Sequence, residues 1–258
     1  MKAVILAGGY GSRLSEETTV RPKPMVEIGS YPILWHIMKI YSHYGIRDFI
    51  ICCGYKGHMI KQYFAEFVWH ACDLRVDLAH QRVETLNAPP EPWTVTLIDT
   101  GLNTGTAGRL KMIQQYVGNE AFCFTYGDGV TDADISEIIQ FHKQTGALAT
   151  LTAIHPPARY GTFELTDGNH NINWFKEKLQ KDNAWVNGGF FVLEPEIFNY
   201  IEGPEQMWEA QPMERLAKEG KLAAYRHTGF WKCMDHLSDK IQLEKLWESG
   251  NPPWKVWS

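Results

Sequence analysis

The sequence contains no run of about 18 or more apolar residues, so it offers no membrane-spanning helix. It lacks a basic leader with an apolar stretch and a cleavage site, and opens directly on a strand-like run, Lys2 to Leu6. Basic charge is in the minority, with 25 Lys and Arg against 30 Asp and Glu, and no dense basic block occurs. A nucleic-acid binder's basic stripe is therefore missing. A few placed cations and backbone N–H groups would still hold a phosphate. Cysteine is scarce and odd in number: Cys52, Cys53, Cys72, Cys123 and Cys233, with no C-x-x-C pair. Three of them lie in apolar runs, which reads as structural thiols in a reducing cytoplasm. The ten histidines show no H-E-x-x-H spacing, so neither a zinc site nor a catalytic histidine is indicated. No repeat and no low-complexity linker divides the 258 residues, which are enough to bury a full core as one domain.

What is present is an alternation of short apolar runs with helix-spaced segments. Residues 2–6, 48–52, 95–98 and 122–126 read as strands, and 33–43, 57–67, 106–117 and 132–145 as helices. That order predicts an α/β fold with a mostly parallel sheet covered by helices, its ligand beyond the carboxyl ends of the strands. From about residue 147 the pattern changes to short strands at 149–154, 161–165, 172–175 and 186–193. These predict an antiparallel or mixed extension. Proline makes 86–93 a loop. The tryptophans at 231, 247, 254 and 257 are expected to pack the tail onto the body or a neighbouring subunit, rather than form an exposed aromatic strip.

The densest chemistry lies at Leu6-Ala-Gly-Gly-Tyr-Gly-Ser-Arg-Leu14, followed by Arg21-Pro-Lys-Pro-Met25. Glycines at 8, 9 and 11 let the backbone approach a bulky anion and turn its N–H groups toward it. The spacing is neither G-x-G-x-x-G nor the G-x-x-x-x-G-K-[ST] phosphate loop, which disfavours a dinucleotide oxidoreductase and an ordinary ATPase. Arg13 adds a planar cation suited to phosphate, and the prolines beside Lys23 stiffen the backbone that aims its ammonium. A glycine turn alone would be merely structural; these two cations at these offsets argue otherwise.

These residues resemble the signature of the sugar-phosphate nucleotidyltransferases. The resemblance continues in order through Tyr126-Gly-Asp-Gly-Val130, Glu177-Lys178, Val186-Asn-Gly-Gly-Phe190 and Phe230-Trp-Lys-Cys-Met-Asp235. It covers essentially the whole chain. Ile51-Cys-Cys-Gly-Tyr-Lys-Gly57, Thr106-Ala-Gly-Arg-Leu110 and Pro253-Trp-Lys-Val-Trp257 point to the branch that uses CTP. The resemblance implies a Rossmann-like sheet in one domain, with residues 1–146 mainly nucleotide-binding and 147–258 mainly sugar-phosphate-binding and assembly-forming. It implies a reaction of CTP with α-D-glucose 1-phosphate that yields CDP-glucose and pyrophosphate, with Mg²⁺ as cofactor. The product would feed surface-polysaccharide (O-antigen) synthesis. A homo-oligomer is implied, a hexamer for the CTP-using branch, with no nucleic-acid or membrane partner.

Carried over residue by residue, Lys23 would contact the phosphate undergoing substitution and Arg13 the leaving pyrophosphate. Asp128, in its Gly-Asp-Gly turn, and Asp235 would hold the metal. Taken alone, the first reads as a turn aspartate and the second as a helix N-cap. Leu6, Ala7, Gly8, Gly9, Gly11, Ser12, Thr104, Arg109 and Gly127 would line the nucleotide. Arg109 taken alone is a surface cation. Tyr126, Tyr160, Gly161, Glu177, Lys178, Asn187 and Gly188 would hold the sugar phosphate; alone, Glu177-Lys178 reads as a solvated charged run. Leu179 stands where the family often has proline, which loosens sugar stringency. The alternatives are a uridylyl- or thymidylyltransferase on the same sugar phosphate, or a non-catalytic sugar-nucleotide-binding subunit. The last should have lost Arg13, Lys23, Asp128 and Asp235, and all four are present.

Overall fold

The computed structural model describes residues 1–155, 162–163, 175–176 and 185–257. Four apolar runs become parallel strands: β1 (Ala3–Ala7), β2 (Asp48–Cys53), β3 (Thr94–Asp99) and β4 (Phe122–Tyr126). β1 pairs with β2 on one side and β4 on the other, and β2 pairs with β3. The second half adds β5 (Ala149–Ile154), β6 (Val186–Asn187), β7 (Phe191–Leu193) and β8 (Leu222–Arg226). β7 runs antiparallel to β4, and β5 is antiparallel to both β7 and β6. β8 lies parallel to β5. Among the described residues the sheet has eight strands, ordered β6-β5-β7-β4-β1-β2-β3 with β8 beside β5. The expected parallel sheet with a mixed extension is therefore present.

Each face of this sheet needs cover because the strands are apolar on both sides. Alternate residues of β1 divide between two cores, since side chains along a strand point to opposite faces. Ala3, Ile5 and Ala7 join one cluster with α1 (Ile33–His43), while Val4 and Leu6 join another with Leu110, Phe198 and Trp208. Full burial of each large apolar side chain contributes about 1.5–3 kcal/mol. Helix α1 buries Ile33, Leu34, Ile37, Met38, Ile40 and Tyr41. The remaining long helices are α2 (Gly57–Ala71), α3 (Thr106–Met112), α4 (Ile135–Thr145), α5 (Gln211–Lys218) and α6 (Leu237–Glu248).

Several boundaries differ from the sequence expectation. The helix expected over 106–117 is two helices, because the backbone at Ile113 opens to φ −97° and ψ 3° while its side chain stays in the core. The helix expected from 132 begins at Ile135, where the Asp134 carboxylate caps it by accepting from the N–H groups of Ser136 and Glu137. Residues 129–131 are instead a short strand, not part of a loop. The run expected over 186–193 is interrupted at 188–190, where Gly189 and Phe190 take positive φ of 76° and 47°. A hairpin, Leu74–Asp77 with Arg82–Thr85, was not anticipated, being mostly exposed and polar. The tail packs on its own body: Trp254 is fully buried and stacks with Phe230 and Trp247.

Candidate active site

Register decides where the site lies. Ala7 pairs with Cys53 and Cys53 with Asp99, so β1, β2 and β3 end in one row. Leu6 pairs with Tyr126, which sets the Gly127-Asp128 turn beside the glycine loop after β1. A cleft of about 570 Å³ opens there. Leu6, Ala7, Gly8, Gly9, Gly11, Ser12, Arg13, Lys23, Thr104, Arg109, Tyr126, Gly127, Asp128 and Asp235 all line it. Parallel strands in register thus gather residues that the sequence scatters from 6 to 235.

Arg109 organises this floor. It is buried at 4% exposure, not the surface cation that its position at a helix start suggests on its own. Its guanidinium donates to the carbonyls of Gly8, Cys53, Gly101 and Leu102 at 2.8–3.3 Å, and to Thr100 Oγ1 at 2.6 Å. Three strand-end loops are therefore held by one planar cation, whose forked donors suit several acceptors at once. Burial pulls its pKa below the usual guanidinium value, opposed by Cys52 and Asp99. The glycines beside it have a second reason to be glycine. A Cβ on Gly8 would lie 2.1 Å from Arg109 Nη1, and one on Gly54 2.6 Å from the same atom. Gly9, by contrast, faces open space, so it is the glycine of the loop that leaves room for a ligand.

At the other end of the cleft the charged groups converge. A short antiparallel ladder pairs Gly129–Thr131 with Trp231–Cys233, and Met234 N–H donates to the Asp128 carbonyl at 2.8 Å. This ladder brings Asp235 beside Asp128. Asp235 is not the N-cap of α6: His236 is, and Asp239 accepts from the His236 N–H at 3.0 Å. The Asp235 carboxylate points into the cleft. Lys23 donates to Asp128 Oδ2 and Asp235 Oδ1, both at 2.7 Å, and Arg13 donates to Asp235 Oδ2 at 2.9 Å. Burial works against the Lys23 charge, yet Asp128 and Asp235 outweigh it and raise its pKa. Burial likewise opposes charge at Asp235, but Lys23, followed by Arg13, holds its carboxyl below the usual range. Nearby, burial with the carboxylates of Asp235 and Asp128 pushes the Cys233 thiol up to about 12, so it is no nucleophile at neutral pH.

Two carboxylates converging on one cation from separate loops fit a hard, oxygen-seeking dication. Among the described residues no group of three or more His, Cys, Asp or Glu could hold a metal. The pair would need ligand oxygens to complete a shell, as is usual where a cation is held with phosphates.

On the far wall, Tyr126 hydroxyl donates to Glu209 Oε1 at 2.5 Å and accepts from Asn187 Nδ2 at 3.2 Å. Burial, reinforced by Glu209, raises the Tyr126 pKa well above its ordinary value. Gly188 is close by, its carbonyl accepting from Trp231 Nε1 at 2.6 Å. Tyr160, Gly161, Glu177, Lys178 and Leu179 lie outside the described residues. The cleft also contains residues to which the sequence assigned no site role of their own, among them Tyr10, Asn103, Thr106, Glu205 and Met207. Tyr10 lies inside the glycine-rich stretch and Asn103 beside Thr104, and the Tyr10 hydroxyl donates to Asn103 Oδ1 at 3.1 Å. Glu205 and Met207 carry no motif. Their loop covers the start of α3, where Gly105 and Ala107 N–H groups donate to Pro204 and Gln206 carbonyls. Gly108 has no room for a side chain, since a Cβ would lie 1.9 Å from the Pro204 oxygen.

A family model described as nucleotidyl transferase matches residues 2–235. A Salmonella typhimurium protein named glucose-1-phosphate cytidylyltransferase is 55% identical over 258 residues, covering 100% of both chains. A Bacillus subtilis protein named probable glucose-1-phosphate cytidylyltransferase is 44% identical, again over 100% of both. Among solved structures, a UDP-glucose pyrophosphorylase from Acinetobacter baumanii superposes with a TM-score of 0.71 at 18% identity. That match covers 98% of this chain and 95% of the other, and speaks for the fold alone.

Proposed function

The chain belongs to the nucleotidyl transferase family, and from that membership we propose that it joins CTP to α-D-glucose 1-phosphate, releasing pyrophosphate and CDP-glucose. One observation carries this reading: Arg13, Lys23, Asp128 and Asp235 converge in the cleft of a chain matched end to end at 55% identity by a cytidylyltransferase. The chemistry asks little of the protein by way of proton transfer. A phosphate monoester has a second pKa of about 6, so the attacking oxygen is already ionised at pH 7. The burden is to hold two polyanions together and to balance charge on the phosphoryl group in transit.

The residues divide that work by position. Backbone N–H groups of the loop from Gly8 to Ser12 cradle the nucleotide phosphates. Lys23 neutralises the phosphate undergoing substitution, and Arg13, paired with Asp235 at the exposed rim of the cleft, meets the departing pyrophosphate. Bound Mg²⁺ would supply further charge neutralisation across the phosphates, with Asp128 and Asp235 as the residues that would hold it. Cytosine differs from uracil and thymine in presenting an amino donor. The Leu102 carbonyl, held by Arg109, together with Thr104, supplies acceptors of fixed place to read it. Tyr126, Asn187 and Gly188 would hold the sugar phosphate, and the family resemblance assigns Tyr160, Gly161, Glu177 and Lys178 to the same task.

The test is pyrophosphate release with glucose 1-phosphate and Mg²⁺, comparing CTP, UTP, dTTP, ATP and GTP. CTP is expected to exceed every other nucleotide at least about tenfold in kcat/KM, a difference of ~1.4 kcal/mol, and EDTA to abolish turnover. Preference for UTP or dTTP would overturn the base assignment and leave the reaction standing. Assembly belongs to the same reading: the otherwise polar hairpin and its turn expose Leu78 at 84%, Val76 at 55% and Val83 at 53%, apolar side chains that a second copy would cover. Light scattering is expected to give a homo-oligomer, a hexamer as the resemblance implies, and the 29.6 kDa mass of a monomer would sink that proposal.

A further inference from the structure

Lys23 sits where the metal would have to go. Its ammonium is 2.7 Å from an oxygen of Asp128 and 2.7 Å from an oxygen of Asp235. The other Asp235 oxygen is taken by Arg13 at 2.9 Å. Two carboxylates face two cations, so the cluster is balanced before any ligand arrives, and a dication entering it gains no net attraction. It would also meet the Lys23 charge at a separation of one hydrogen bond, where like charges repel most strongly.

Nor does Lys23 drift away by itself. Its side chain is only 12% exposed, against 68% for Arg13. The flanking prolines stiffen its turn, which is closed by Met25 N–H to Pro22 O at 2.8 Å and Val26 N–H to Lys23 O at 3.1 Å. What can move the ammonium is an anion that competes with both carboxylates. The glycine loop at the same cleft is built to receive one, on the nucleotidyl-transfer reading above, in the form of a nucleotide's phosphates.

The geometry points to Lys23 as an internal counter-ion that holds Asp128 and Asp235 together and excludes the metal until nucleotide phosphates draw its ammonium off. Lys23 then has two successive partners, the carboxylates in the free protein and the phosphate in the complex. The metal enters with the nucleotide or after it, never before. Such an order keeps a dication from neutralising the carboxylates in a site that has no phosphate to finish its coordination.

Mn²⁺ binding to the full-length protein without nucleotide tests this, read from the loss of the free-ion spin-resonance signal. Wild type is expected to bind weakly, with Kd above about 1 mM. Lys23→Met is expected to bind one Mn²⁺ at least about tenfold more tightly, and Lys23→Met with Asp128→Asn to lose that gain. Two results would overturn the inference. One is wild type binding a single Mn²⁺ below about 0.1 mM in a manner lost in Asp128→Asn; the other is Lys23→Met binding no more tightly than wild type. If Lys23→Met does not fold, the wild-type titration decides alone. The nucleotide panel is read separately. CTP turnover with tight metal binding to the free protein removes only the counter-ion role. Weak metal binding without CTP turnover removes only the substrate assignment.

Discussion

Replacing Lys23 by alanine is expected to lower kcat for pyrophosphate release about a hundred- to a thousand-fold, the loss typical of one preorganised group facing developing charge. Three features make this the most sensitive position. The ammonium rises from a proline-flanked turn closed by Met25 N–H to Pro22 O at 2.8 Å, so its backbone stays in place when it passes from the carboxylates to the phosphate. It is largely shielded from water, at 12% exposure, which strengthens its field. Its removal also leaves Asp128 and Asp235 facing each other without their shared cation, so the phosphates meet two carboxylates where they should meet an ammonium. The deficit should fall on kcat more than on KM, because the interaction grows as charge accumulates on the phosphoryl group. Steady-state kinetics with saturating CTP and glucose 1-phosphate check it. A kcat within a few fold of wild type would remove Lys23 from the reacting phosphate.

Arg109→Ala is expected to act on the fold first and on catalysis through it. The change deletes the cation that bridges the loops after β1, β2 and β3, and opens a cavity between Gly8 and Gly54. The Gly8 and Cys53 carbonyls keep the N–H groups of Tyr55 and Thr100, whereas those of Gly101 and Leu102 lose their Arg109 donor. Each part-buried carbonyl left without a donor costs about 1 kcal/mol, and the cavity adds to that. A total of about 3–5 kcal/mol is expected, which for a chain of this size lowers Tm by roughly 6–20 °C. Arg109→Lys should recover little, since a single ammonium cannot span acceptors on three loops. Because the same strand-end loops are the proposed readers of the base, KM for CTP is expected to rise more than KM for glucose 1-phosphate. Thermal melts and paired kinetics measure both effects. A Tm within about 2 °C of wild type would show that the loops hold their places without Arg109.

These two positions differ in how far the chain itself announces them. Lys23 stands between prolines a few residues after a glycine loop, so its importance is legible locally. Arg109 sits in a helical stretch like any surface cation. Only the row of strand ends shows that its guanidinium is enclosed. The same holds for glycine: the pattern at 8, 9 and 11 signals an anion loop, but it does not reveal that Gly8 is also spent on making room for Arg109. Boundaries failed where one residue's capping or backbone angle decided the matter, as at Asp134 and Ile113.

The sequence by itself determined the alternation of strands and helices, and with it the parallel sheet. It also determined the phosphate-binding character of the first loop and its cations, and the branch of chemistry to which they belong. The sheet and the loop rest on spacing within a few tens of residues, which periodicity and motif preserve; the branch of chemistry rests on a family resemblance carried by motifs along the whole chain. The tertiary structure alone decided that Asp235 joins Asp128 through the ladder of 129–131 with 231–233, and that Lys23 lies between them. It alone placed the loop of Glu205 and Met207 as a wall of the cleft. Such contacts depend on register between strands and on which buried charge finds which partner. Both are settled by packing the whole chain at once, so no local stretch of residues encodes them.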